Sequence, residues 1–220
     1  IWWGQFGIGK TKRLTYVKDI IEKSEGYTFY PVFALMSDLQ EKSGPEVFHA
    51  RLFEGIGYQA IRNFSMAYKI RAQNKDDGFI NIQDLPAMPD ELATILNTLT
   101  SDREELAKAA WRYILGYKLS KEEMRDAGSV KPQIDSGVEF AKIHQAFAYI
   151  IKKQTGGNQL LYLIDEFENV TKINNKNQES RWQESLRLLL DVAMEDLGII
   201  ITVGADREDG IPALILKPDI

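Results

Sequence analysis

Residues 4–11 read Gly-Gln-Phe-Gly-Ile-Gly-Lys-Thr. A loop this rich in glycine, closing on an ammonium and a hydroxyl, narrows the choice of fold more than anything else in the chain. Glycine reaches backbone angles closed to other residues and carries no side chain to fend off a ligand. The N–H groups so exposed can converge on anionic oxygens, helped by the positive end of the following helix. The pattern is G-x-x-x-x-G-K-[ST], the P-loop or Walker A motif, which sits between a strand and a helix. It predicts an α/β fold with a parallel sheet flanked by helices. Gly4, Gln5, Phe6, Gly7, Ile8, Gly9, Lys10, Thr11 and Lys12 are expected to form the nucleotide-binding loop. Lys10 is expected to reach the β- and γ-phosphates of ATP, and Thr11 to put its hydroxyl on Mg2+. The chain opens on Ile1 with no initiator methionine, so it reads as a piece of something longer.

The rest of the chain supplies strands and helices in alternation. Leu14, Val17, Ile20 and Ile21 recur at helical spacing after the loop, and Gly26 follows as a stop. The apolar run YTFYPVFALMSD predicts a buried strand near residues 28–36. Pro45 then opens what reads as one long helix reaching Asn74, with Gly55 and Gly57 weakening its middle. Residues 75–155 have a different texture: a turn-rich start, then helical patterns from Asp90, from an Asp102 start, from a Ser120/Glu123 capping box, and over 139–157. They read as a helical insertion before the next strand. Residues 1–74 and 156–220 then form the two parts of an ATPase core.

QLLYLIDEFE follows Gly156 and Gly157 and predicts a buried strand that ends in two acids. Burying an unpaired charge is costly, and a Mg2+ ion bound to phosphates would offset that cost. Asp165 is therefore the expected metal-holding acid, with Thr11, and Glu166 the expected general base for an attacking water. Glu168 reads as a surface residue. TKINNKNQ, with Lys172 and Lys176, reads as a solvated loop, with a nucleic-acid contact as the alternative. A helix over ESRWQESLRLLLDVAMED and a strand over GIIITVGAD complete the pattern. Strands alternating with helices, without hairpin turn pairs, imply a parallel sheet covered on both faces.

Composition excludes several classes. The 220 residues carry a net charge of −5 and contain no cysteine. No global basic field draws the chain to nucleic acid or anionic lipid, and disulfides and thiolate metal sites are ruled out. His49 and His144 are far apart in sequence, and each is read as structural or at the surface rather than as a zinc ligand. No apolar run approaches a membrane span and no secretory leader is visible, so a cytoplasmic protein is expected. Among nucleotide-binding classes, a GTPase would need its N-K-x-D after a strand, whereas NKDD at residues 74–77 follows a helix and reads as a turn. TGGNQ abuts the acid-ending strand too closely for an ABC signature, and no arginine-rich lid points to a small-molecule kinase.

The adjacent Asp165 and Glu166 resemble the P-loop ATPases that carry an added catalytic glutamate, AAA+ proteins among them. That class places a polar sensor residue at the end of the strand after the acids. Asp206 falls there and would be catalytic, with Thr202 the second choice. Arg207 beside it is read as solvated, with an arginine finger in an oligomer as the alternative. AAWRYILGYKL and GVEFAKIHQAFAYIIKKQTGGNQLLYLIDEFENVTKI resemble, more closely, the ATP-binding proteins of BREX phage-defence systems and their ORC/Cdc6-like AAA+ relatives. Trp111, Leu115, Gly116, Gly157, Asp165 and Glu166 carry that similarity. The resemblance implies ATP and Mg2+ as cofactors, a homo-oligomer or larger complex, and association with DNA or a DNA-processing partner. The C-terminal lid of AAA+ proteins is not recognisable and is expected to be absent or to lie beyond residue 220. The expected activity is ATP hydrolysis that drives or gates such a complex; the alternative is a nucleotide-gated switch or scaffold with little turnover.

Overall fold

A computed structural model describes residues 2–4, 9–24, 26, 28–37, 44–85, 88–134, 136–172 and 176–204, with backbone alone at residues 3, 170–172, 176–180, 183 and 192–195. Strand β1 (Trp2–Gly4) leads into helix α1 (Lys10–Lys23) and then strand β2 (Phe29–Leu35). Six helices follow: α2 (Pro45–Ile56), α3 (Tyr58–Gln73), α4 (Asp90–Leu99), α5 (Glu104–Ile114), α6 (Lys121–Ala127) and α7 (Gly137–Gln154). Strand β3 (Gln159–Asp165) runs into a 3-10 turn (Phe167–Lys172), helix α8 (Lys176–Asp196) and strand β4 (Leu197–Gly204). The four strands are parallel and lie in the order β1-β4-β3-β2. None of the described helices is long and apolar enough to cross a membrane.

Alternation along β3 decides what each face of the sheet meets. Leu161 and Leu163 pack with Leu14 and Ile21 of α1, joined by Val17, Phe29, Phe33 and Ile200. Leu160, Tyr162 and Ile164 point the other way, into the main core with Ile201 and Val203 of β4 and the helices α2, α7 and α8. A strand covered on both faces reads as an unbroken apolar run, as β3 does. By the same period of two, Asp165 falls on the α1 face with Leu161 and Leu163. Thr202 falls there too, in step with Ile200. Ile164 pairs with Ile201, so the next residues along, Asp165 and Thr202, stand side by side.

Several local expectations are revised. The long helix from Pro45 is two helices, because Gly57 takes φ 88° and ψ 140°, caps α2 through its N–H to the Phe53 carbonyl, and starts α3. Gly55 is not a weak point: a Cβ there would meet the Phe33 carbonyl oxygen at 2.7 Å, so glycine lets α2 lie against β2. Helix α5 is capped by Arg103 rather than Asp102 and stops short of Gly116, which has φ 74°. The loop before α8 is shorter than expected, since Lys176 opens that helix; the side chains of Lys172 and Lys176 lie outside the described residues. The Ser120/Glu123 capping box forms as expected, and Asn74–Asp77 is a turn.

The two histidines meet. His49 on α2 and His144 on α7 are fully buried, with Nδ1 of the first 3.0 Å from Nε2 of the second. His144 Nδ1 lies 2.8 Å from the Tyr162 hydroxyl on β3, and His49 Nε2 lies 2.5 Å from Ser185 Oγ on α8. Donation running Tyr162 to His144 to His49 to Ser185 satisfies every polar hydrogen but the serine's, which borders a cavity of about 350 Å3. The reverse direction would leave the hydrogen of the buried Tyr162 hydroxyl with no acceptor among the described residues, a costly arrangement. Burial pushes the His49 pKa down to about 3. Burial, with His49 alongside, holds His144 well below the ordinary imidazole range. Both rings are neutral, and each also stacks on a phenylalanine, Phe140 or Phe53.

Candidate nucleotide site

The site lies where β1 and β3 end and α1 begins. Gly9 occupies the left-handed region at φ 84° just before α1. Among the described residues a Cβ at Gly9 would meet nothing within 4 Å, so it is the left-handed backbone angle that favours glycine there. The Lys10 ammonium donates to the Gly4 carbonyl at 2.8 Å, spanning from one end of the loop to the other. Lys12 is exposed on α1. Gln5, Phe6, Gly7 and Ile8 lie outside the described residues, as do Asp206 and Arg207.

Thr11, in the first turn of α1, donates its hydroxyl to Asp165 Oδ2 at 2.5 Å. The two residues are 154 positions apart, and they meet because Asp165 projects on the α1 face of the sheet. The other carboxylate oxygen, Oδ1, accepts from the Thr202 hydroxyl and from the Glu166 N–H at 3.0 Å. Asp165 is 1% exposed, and among the described residues no lysine or arginine pairs with it. Three donors therefore hold a buried carboxylate without neutralising its charge. A hard divalent cation fits this arrangement, since the Thr11 hydroxyl oxygen and Asp165 Oδ2 are adjacent oxygen donors. Among the described residues no group of three His, Cys, Asp or Glu side chains could hold a metal alone. A cation here would therefore take the rest of its shell from phosphate oxygens and water.

Glu166 turns away from that cluster. Its φ of 57° is left-handed, unusual for a residue with a side chain and often a mark of functional sites. Asn169 holds it twice, donating Nδ2 to Glu166 Oε2 at 3.3 Å and its own N–H to the Glu166 carbonyl at 3.1 Å. Glu168 is not a loose surface acid: its Oε2 accepts from the Gly204 N–H at 2.7 Å, tying the turn after β3 to the end of β4. The three acids thus make three different sets of contacts. Asn169 and the Glu168 link gave no sign in the residue pattern. Thr202 did, as the polar residue in an otherwise apolar β4.

The family model described as BREX system ATP-binding protein BrxC/D matches residues 65–207, a span of 143 residues in a chain of 220. The chain belongs to this family. The matched span holds Asp165, Glu166 and Thr202 and begins beyond α1. Lys10 and Thr11 therefore rest on their motif and on the contacts above. No curated protein and no solved structure matches the chain.

Proposed function

We propose that this BREX-family protein binds ATP with Mg2+ at the carboxyl ends of its parallel strands and hydrolyses it, as an AAA+-like P-loop ATPase module. The bond from Thr11 to Asp165 carries the reading. It joins the last residue of the glycine motif to the acid that ends β3, two features whose chemistry makes sense together around a phosphate-bound cation. Lys10 would exchange the Gly4 carbonyl for β- and γ-phosphate oxygens. Thr11 and Asp165 would hold the cation, Thr11 directly and Asp165 directly or through water. Mg2+ would spread the charge building on the phosphates during transfer. Glu166 would polarise the attacking water. A multi-protein BREX assembly, a homo-oligomer and a DNA-processing partner are the settings in which such a module would act.

Two variants of the full chain test this. Lys10→Ala should lose nucleotide binding by about a hundredfold or more, whereas Glu166→Gln should keep binding and lose hydrolysis by about a hundredfold or more. Phosphate release by Glu166→Gln at the wild-type rate would remove Glu166 as the base. A nucleotide-gated switch with slow turnover is the second reading, favoured by the bond that occupies Glu166 Oε2 with Asn169. Vigorous steady-state phosphate release would exclude it.

A further inference from the structure

We infer that Thr202 is a positioning residue for the cation-holding acid and acts through Asp165 rather than by touching the nucleotide. The inference rests on the reading of the site above. Thr202 is fully buried in β4, and its hydroxyl is committed to the carboxylate of Asp165. Register sets it beside Asp165, and its hydroxyl donates to Oδ1. The division of labour on the carboxylate follows. Oδ1 is claimed by Thr202 and by the Glu166 N–H. Oδ2 faces Thr11 and is the oxygen that can turn to a cation or to its water.

A carboxylate held by one oxygen presents the other in a fixed direction. The Glu166 N–H belongs to the same short segment as Asp165 and cannot set its rotamer against the rest of the sheet. Thr202 can, because β4 lies between β3 and the strand that enters the loop. The threonine thereby couples the aim of Asp165 to the strand pairing that places Gly4 beside Gly204. Without its hydroxyl, Asp165 would keep its place in the sheet but lose its aim.

The test is Thr202→Val in the full chain, which keeps the shape and removes the donor. Binding of a fluorescent ATP analogue is followed while magnesium is titrated, and again in excess chelator. The magnesium concentration for half-maximal binding should rise about tenfold, the scale of one charge-assisted hydrogen bond. Metal-free binding should be unchanged, because the Lys10 contact to phosphate does not pass through Asp165. Thr202→Ser, which restores the donor, should return the midpoint to that of the wild type. Thr202→Ala replaces the valine variant should that one not fold. A midpoint that stays put or falls would overturn the positioning role. A wild-type protein that binds no nucleotide with magnesium would overturn the reading of the site itself.

Discussion

At Gly9 a single backbone angle decides whether the loop can join α1. The φ of 84° costs a residue with a Cβ about 1–2 kcal/mol, and no described neighbour lies close enough to add a clash. Gly9→Ala should therefore lower the stability measured in urea by about that amount while leaving the core intact, and it should weaken nucleotide binding more than it weakens folding. The motifs singled out Lys10, Thr11 and Asp165, and the fold sets Thr11 against Asp165. Residue chemistry was unreadable where a side chain serves a distant backbone group. Nothing in the letters around Glu168 says that the Gly204 N–H needs an acceptor; only strand order brings the two together.

Elements were readable from hydrophobic period and turn residues. All four strands fall on apolar runs, though β1 had only the letters IWW to announce it. The break between α2 and α3 shows the limit of periodicity. Phe48, Leu52, Phe53 and Ile56 on one side of Gly57 and Ile61, Ser65 and Tyr68 on the other keep helical spacing in the buried core, so period alone predicts continuity. What interrupts it is one backbone conformation. Gly57→Ala should cost about 1–3 kcal/mol, since φ 88° with ψ 140° is nearly closed to other residues. The change should appear as a melting temperature lower by about 2–4 °C for each kcal/mol. An unchanged melting temperature would mean that the two helices can merge.

For the molecule as a whole, the chain of Tyr162, His144, His49 and Ser185 ties α2, α7, α8 and β3 through neutral imidazoles. Both histidines have folded-state pKa values below the unfolded value near 6.5. The unfolded chain therefore takes up protons that the folded one refuses. Stability should be greatest above pH 6.5 and fall as the pH drops below it, by roughly 1 kcal/mol per pH unit for each ring while that ring stays neutral in the folded chain. His49→Gln with His144→Gln should flatten that slope in denaturant melts taken across pH 7 to 5, even if it lowers stability throughout. The sheet order has a consequence for synthesis on the ribosome. Among the described residues β1 pairs only with β4, whose residues leave the exit tunnel almost 200 positions after it. Strand β1 must wait for β4 before it can pair. A nascent polypeptide halted before β4 emerges should consequently be unable to retain ATP, however well its helices have already condensed.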